Sequence, residues 1–172
     1  VSELEKSSEA LRVSRERFRH SAYHDALTGL PNRNFFIDRL KEVLDQCARD
    51  RSYNFAILFL DLNRFRTIND SLGHSTGDRI IRSTAKRLSE MIGEPDLVGH
   101  FGGDEFAFIL RNVDTPETAI AFAERVAQTI KEPFRFKSRN VHTSVSVGIA
   151  FGSAYYRFAE EVLRDADMAM YH

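Results

Sequence analysis

The feature that most constrains the fold is an uninterrupted apolar run at residues 55–60, Phe-Ala-Ile-Leu-Phe-Leu, with polar residues on both sides. A run of this length is typical of a strand buried in the centre of a sheet. Asp61 follows directly, so it stands at the carboxyl end of the predicted strand, where clefts commonly open. A carboxylate in this place is usually a cap or an ion-pair partner, and it indicates a site only if other groups join it.

The other periodic segments predict helices and strands around this strand. Apolar residues recur at helical spacing over 34–49, 76–92 and 115–131, and again from about residue 158. Short strands are predicted over 97–101, 105–110 and 134–136, and an alternating strand begins at Val141. Residues 62–74 form a polar segment with one short helix-like turn. This order predicts a two-layer α/β (α+β) fold, with helices over a mixed, mainly antiparallel sheet.

Residues 1–22 are charged and contain no Gly or Pro. Leu4, Leu11 and Phe18 recur every seven residues, whereas the companion heptad position, which Val1 opens, is mostly non-apolar. Two interpretations stay open: a solvated helix packed loosely on its own domain, or a coiled-coil stalk that enters from an upstream sensor domain and pairs with its twin. We expect a helical linker or stalk over 1–22 and a globular domain over 23–172.

Composition excludes several classes of function for this segment. The 24 basic residues nearly balance 25 acidic ones, for a net charge of −1, which argues against a nucleic-acid binder. A single cysteine rules out an intramolecular disulfide framework. No apolar stretch approaches the ~18 residues of a membrane span, and the first residues do not resemble a signal peptide. We therefore expect a cytoplasmic segment without membrane contact, which can still belong to a membrane-bound sensor.

A second acidic cluster follows a glycine pair. Gly102 and Gly103 separate two predicted strands, where a tight hairpin needs positive φ and where a ligand can approach the backbone closely. Asp104 and Glu105 come next. If the hairpin neighbours the strand that ends at Asp61, the carboxylates converge. Convergent carboxylates can bind a divalent cation such as Mg²⁺, which also holds nucleotide phosphates. Two such ions can stabilise a phosphoryl displacement.

The segment that follows Asp61 has the character of an anion site. Its backbone N–H groups lie in a tight turn beside a helix start, and such groups cradle anions. Arg64 and Arg66 add positive charge.

Three polar residues further along can share one side of the same cleft: Asn69, His74 and Asp78. An amide and a carboxylate together can read guanine, because Asp accepts from the ring N–H and the amino group while Asn donates to the carbonyl. Each residue also has an ordinary interpretation, namely a turn for Asn69, a solvated loop for His74 and a helix cap for Asp78.

Residues 101–106, Phe-Gly-Gly-Asp-Glu-Phe, resemble the signature of the GGDEF family. Four other motifs resemble further parts of the family pattern and occur in the family's order. They are Asp25-x-Leu27-Thr28-x-Leu30-Pro31-Asn32-Arg33, the stretch from Asp61-Leu62-Asn63-Arg64-Phe65-Arg66 through Ile68-Asn69-Asp70-x-x-Gly73-His74-x-x-Gly77-Asp78, Ser146-Val147-Gly148-Ile149-Ala150, and Ala166-Asp167-x-Ala169-x-Tyr171. Together the five motifs cover residues 25–171.

The resemblance implies a fold like that of the nucleotidyl cyclases and the polymerase palm. It also implies a diguanylate cyclase, in which two domains, each with one GTP, meet face to face as a homodimer. Each 3′-hydroxyl then attacks the α-phosphate of the other GTP, and the products are cyclic di-GMP and two pyrophosphates. The alternative is a catalytically silent GTP-binding domain that regulates a neighbour, such as a downstream cyclic di-GMP phosphodiesterase domain.

Site roles carry over by position from the family. Asp61 and Asp104, with the backbone carbonyl of Leu62, would hold Mg²⁺ or Mn²⁺, and Asp104 or Glu105 would help to deprotonate the 3′-hydroxyl. The substrate-binding set comprises Phe65 and Arg66 for the terminal phosphates, Asn69, His74 and Asp78 for the guanosine, and the hairpin glycines Gly102 and Gly103. Arg66 would also stabilise charge in the transition state.

The sequence departs from the family pattern in several places. Asn63 replaces a usual Asp, Arg66 replaces a usual Lys, and His100 replaces a usual Arg. A neutral His at position 100 would offer less charge to a phosphate than Arg does. Residues 93–96, Gly-Glu-Pro-Asp, lack the Arg of the family's inhibitory Arg-x-x-Asp site, so we expect no product inhibition there. The family pattern places a Lys and an Arg that contact phosphates just beyond His172. The metal ligands are intact, and we expect activity.

Overall fold

The structure is a computed structural model that describes residues 2–136 and 138–170. Val1 of the heptad pattern and Tyr171 of the last motif lie outside the described residues. The helices are α1 Glu3–Tyr23, α2 Arg33–Arg49, α3 Phe65–Leu72, α4 His74–Ser89, α5 Pro116–Lys131 and α6 Ala159–Met170. The strands are β1 Phe55–Leu62, β2 Leu97–Gly102, β3 Glu105–Arg111, β4 Phe134–Phe136, β5 Arg139–Val141 and β6 Val145–Gly152.

The main sheet has four strands in the order β2-β3-β1-β6, and each of its three pairings is antiparallel. β1 is a central strand, as its apolar run predicts. The prediction that an alternating strand begins at Val141 is wrong, because Val141 pairs with Phe134 in a separate two-stranded sheet. The long strand begins at Val145 instead, since the Ser144 carbonyl accepts a hydrogen bond from the Asn63 backbone N–H at 2.8 Å.

Helices cover both faces of the sheet. On one face, Ala56, Leu58 and Leu60 pack with α4 and α5, and on the other face Ile57 and Phe59 pack with α2 and α6. The two-layer prediction is therefore wrong in its number of layers. The reason lies in β1, which is apolar on both faces and needs a layer of helices on each to exclude water.

Helix α6 lies directly on the backbone of β6. A Cβ on Gly148 would be 2.0 Å from the Ala166 carbonyl oxygen and 2.6 Å from the Met170 nitrogen. Only a residue without a side chain allows this approach. The contact fixes where the following residues of α6, among them Asp167, stand relative to the sheet.

Helix α1 contacts the rest of the chain at its carboxyl end. The Asn32 amide donates to the Ala22 carbonyl at 2.9 Å, and the Tyr23 ring packs edge-on against Phe35. No residue of the helix is buried, and Leu11 and Phe18 of the heptad pattern are 54% and 78% exposed. Within residues 2–136 and 138–170, none of the helices combines the length and the hydropathy needed to cross a bilayer.

We expect Gly148→Ala to lower the free energy of unfolding by about 1–3 kcal/mol, because the contacted atoms are backbone and cannot rotate away. Urea denaturation measures the change. Gly93→Ala is the matched control, since a Cβ there would meet nothing within 4 Å. Equal stability of the two variants would contradict the close packing of α6 on β6.

Candidate active site

The register of β1 and β3 brings the predicted carboxylates together. The two strands are antiparallel neighbours, with Asp61 opposite Glu105. The Leu62 N–H donates to the Asp104 carbonyl at 3.1 Å, which holds the hairpin against the end of β1. The Asp104 carboxyl lies near enough to that of Asp61 to raise its pKa. The expectation that these two carboxyls converge is confirmed.

The hairpin has the backbone that its two glycines predict. Gly102 has φ of 107° and Gly103 has φ of 52°, both in the region that glycine adopts without steric cost. Both glycines are exposed, and a Cβ on either would meet nothing within 4 Å. The positive φ, and not a lack of space, therefore explains the two glycines.

The carboxylates form an electrostatically unbalanced cluster. Burial, followed by the hydrogen bond and the charge of Asp104, raises the pKa of Asp61 from an ordinary 3.8 to about 7. Burial and the charges of Asp104 and Asp167 also raise the pKa of Glu105, against smaller opposing effects of Arg33 and His100. Mutual repulsion of this kind is relieved by a bound cation.

One atom of the cluster fits a metal ion in particular. Oδ1 of Asp61 is buried and has no hydrogen-bond partner among the residues that the structure describes, which is costly for a carboxylate oxygen unless a ligand completes it. Across the described ranges, no cluster of three or more His, Cys, Asp or Glu side chains has metal-binding geometry. A site built from two carboxylates needs a backbone carbonyl and waters as well, and Mg²⁺ commonly keeps several waters. The residues present fit such an ion.

Asp167 joins this cluster, and sequence reasoning missed it. It belongs to the last of the five motifs, and the sequence alone gives it no role. Its charge raises the pKa of both Asp61 and Glu105. The available signal was Gly148, which allows α6 to approach β6, but this contact joins segments far apart in sequence.

The turn after β1 leads directly into α3, at the place where the anion cradle is predicted. Arg64 has φ of 57° and the chain then enters α3, whose first N–H groups, at Phe65 and Arg66, have no partner within the helix. The prediction of one short turn is wrong in length, because α3 runs to Leu72. A groove of about 690 Å³ opens beside this turn, and residues such as Arg64, Thr67 and His142 line it.

The residues expected to bind guanosine come from α3 and from the start of α4. His74 and Asp78 are four residues apart on α4 and share one side of it. Asn69 on α3 reaches α4 at Gly77. Neither alternative for the α4 pair holds: the helix begins at His74, which is therefore not a loop residue, and its N-cap is Gly73, so Asp78 is not a cap.

A sequence model of the GGDEF domain family, described as diguanylate cyclase, GGDEF domain, matches residues 22–172. The chain belongs to the GGDEF family. It is 41% identical over 151 residues to the signaling protein YkoW of Bacillus subtilis, covering 87% of this chain and 19% of YkoW. It is 38% identical over 172 residues to the diguanylate cyclase TpbB of Pseudomonas aeruginosa, covering 99% of this chain and 39% of TpbB.

Solved structures of GGDEF domains have the same fold. The coiled coil and GGDEF domain of DgcB from Caulobacter crescentus, in complex with c-di-GMP, superposes with a TM-score of 0.86 at 27% identity, covering 96% of this chain and 87% of that one. The match supports the predicted palm-like architecture. The chain spans well under half the length of the curated relatives named above.

The structure gives Asn63, a departure from the GGDEF pattern, a clear role. Its amide nitrogen donates to Ser144 Oγ at 2.8 Å, and its amide oxygen accepts from Ser146 Oγ at 2.6 Å. The side chain thus fastens the turn after β1 to β6. A neutral amide does this without adding a further negative charge beside Asp61.

His100, a second departure, lies inside the protein. The side chain is buried behind the GGDEF hairpin, with Nε2 2.8 Å from the Gly103 carbonyl oxygen and Nδ1 2.9 Å from Asp25 Oδ2. The Nδ1 contact is within ion-pair distance but falls short of an aligned hydrogen bond. Although burial opposes it, hydrogen bonds from Thr28 and the nearby His100 ring lower the pKa of Asp25. His100 therefore links the first motif of the GGDEF pattern to the hairpin.

Asp96 matches the Asp of the family's inhibitory Arg-x-x-Asp site and has a partner in the structure. Its Oδ1 accepts from the Arg111 backbone N–H at 2.8 Å and so ties the segment before β2 to the end of β3. The absence of product inhibition through residues 93–96 stays a prediction.

We expect Asp61→Asn to stabilise the domain at high pH when divalent cations are removed with a chelator. The raised pKa of Asp61 makes a contribution that is present below its unfolded value and lost as pH rises through about 7. The variant should therefore gain on the order of 1–2 kcal/mol relative to the wild type between about pH 5 and about pH 8, after allowance for solvent screening. Denaturation at the two pH values measures this gain, and parallel curves for both proteins would contradict it.

Proposed function

We propose that the chain is a diguanylate cyclase domain that condenses two GTP into cyclic di-GMP and two pyrophosphates. The observation that carries the proposal is the buried, unpartnered Oδ1 of Asp61 beside Asp104 on the hairpin. This arrangement favours a divalent cation at the point where the free N–H groups of α3 favour phosphates. A cation and an anion cradle side by side suit a nucleoside triphosphate.

The metal would be held by Asp61, Asp104 and the backbone carbonyl of Leu62, and we propose Mg²⁺ or Mn²⁺. When bound, the ion supplies positive charge that offsets the charge on the phosphoryl oxygens. Glu105 is half-buried, and its raised pKa makes it a stronger base than an ordinary carboxylate. We propose that Glu105 or Asp104 accepts the proton of the 3′-hydroxyl.

The substrate would lie across the hairpin and the two short helices. The N–H groups of Phe65 and Arg66 bind the terminal phosphates, and the exposed guanidinium of Arg66 stabilises charge in the transition state. The guanosine lies against Asn69, His74 and Asp78. Gly102 and Gly103, which are exposed, leave the hairpin backbone open to the nucleotide.

One site holds one GTP, and the reaction joins two, so we propose that two copies of the domain meet face to face. Such a pair aligns each 3′-hydroxyl with the opposite α-phosphate. We further propose that the domain works in the cytoplasm, where GTP is supplied, within a longer protein that carries an upstream sensor domain. A downstream phosphodiesterase domain is part of the same proposal.

We expect the protein to form cyclic di-GMP from GTP and Mg²⁺, and Asp104→Ala to lower the rate at least about 100-fold through loss of a metal ligand. Chromatography of the products measures this. Asp45→Ala, which removes an exposed carboxylate on α2, is the matched control and should retain activity. The assay is run on the chain alone and on one extended beyond His172, where the family pattern places two phosphate contacts.

The same assay tests the alternative function. No product from either chain, together with binding of GTP in preference to ATP, would replace the cyclase with a silent GTP-binding regulatory domain. Product that persists in Asp104→Ala would contradict the metal site.

We also propose that α1 is a stalk that pairs with its copy through Leu4, Leu11 and Phe18. These residues lie on one stripe and are 83%, 54% and 78% exposed, which is unusual for large apolar side chains without a partner. Pairing would hold two domains at high effective concentration and set their alignment.

The double variant Leu11→Ser/Phe18→Ser should lower cyclase activity several-fold at dilute protein and leave it nearly unchanged at high concentration, because only the association is weakened. Activity measured over a dilution series, with sedimentation to follow the dimer, checks this. Ser14→Ala/Ser21→Ala is the control on the same helix. An equal loss at every concentration would contradict a role in pairing.

A further inference from the structure

The side-chain amide of Asn69 has no protein partner within the described part of the chain. It is half-buried on α3 and takes part in none of the side-chain hydrogen bonds of residues 2–136 and 138–170. Its backbone carbonyl accepts from the Gly73 N–H at 2.9 Å and closes the helix. A half-buried amide left in this state is available to a ligand.

Gly77 on α4 provides the space that the amide occupies. A Cβ on Gly77 would lie 1.7 Å from Asn69 Oδ1 and 2.9 Å from Asn69 Cγ. Gly77 is buried inside a helix, with no positive φ that would demand glycine. Glycine weakens a helix interior relative to alanine, so local backbone preference does not explain this residue. The space that it leaves for Asn69 does.

The contact also sets which end of the amide is presented. The oxygen is directed at the Cα of Gly77, where it can accept a weak Cα–H contact, whereas an NH₂ group in that place would meet a hydrogen. The NH₂ group with its two donors is thus left for the ligand. Donors match the carbonyl of guanine, and they do not match the amino group at the corresponding position of adenine.

We propose that Gly77 is a positioning residue for base selectivity, which holds the Asn69 amide with its donors towards guanine. This inference rests on the proposed function, in which Asn69 faces the base of GTP. His74 and Asp78 lie within one helical turn of Gly77 on α4, so the amide meets α4 in the turn that carries the other residues assigned to the guanosine. Gly77 acts only through Asn69 and touches no substrate itself.

The fold should tolerate a methyl group at this position. The atoms in the way are the tip of the Asn69 side chain, which can rotate, and Phe65 Cζ at 3.3 Å, which needs only a small shift. Gly148 differs, because there the obstructing atoms are backbone. Gly77→Ala should therefore displace the amide and leave the domain folded.

The test is calorimetric binding of the α,β-methylene analogues of GTP and ATP, which cannot release pyrophosphate. The proteins are the unchanged chain, Gly77→Ala, Asn69→Ala, the double variant and Gly93→Ala. Gly77→Ala should weaken binding of the guanine analogue roughly tenfold and binding of the adenine analogue less than about twofold. Asn69→Ala should do the same, and the double variant should show no further loss. Gly93→Ala carries the same chemical change in open space and should match the unchanged chain.

Two results would overturn the inference while leaving the proposed function in place. One is a Gly77→Ala protein that keeps its preference for guanine, and the other is losses that add in the double variant. No preference for guanine in the unchanged chain would instead defeat the guanosine site and this inference with it. If Gly77→Ala melts early, a double variant that regains the melting temperature supports the contact with Asn69, and one that does not overturns it.

Discussion

The antiparallel pairing of β1 with β3 is the constraint on which the rest of the site depends. Its register sets Asp61 opposite Glu105 and lets the Leu62 N–H reach the Asp104 carbonyl. A slip of one residue would turn the apolar side chains of β1 to the wrong faces and separate the carboxylates. The burial of β1 on both faces therefore holds the carboxylates together although their like charges repel one another.

Glycine serves two different purposes in this domain. At Gly102 and Gly103 the backbone requires positive φ, and the surroundings are open. At Gly77 and Gly148 the backbone makes no such demand, and a side chain would collide with a neighbouring element. The first pair shapes the hairpin that carries Asp104, and the second pair lets helices approach close enough to present polar groups.

Much of the fold and part of the site could be predicted from local patterns. The run at 55–60 identifies β1, and the glycine pair identifies the hairpin, so the meeting of Asp61 with Asp104 followed from one assumption about which strands are neighbours. Asp167 could not be placed, because its approach depends on a contact between α6 and β6. The role of His100 was missed as well, since a residue in a short strand carries no local sign of the face on which it lies.

The residues between α1 and α2 are hydrogen-bonded both to the end of α1 and to β2, the strand that leads into the hairpin. The Tyr23 carbonyl accepts from the Asn32 N–H at 2.9 Å, and the Pro31 carbonyl accepts from the His100 N–H at 3.0 Å. His100 in turn contacts Asp25 and the carbonyl of Gly103. The path from α1 to the hairpin that carries Asp104 thus runs through hydrogen bonds and one close polar contact, each between residues that are neighbours in space.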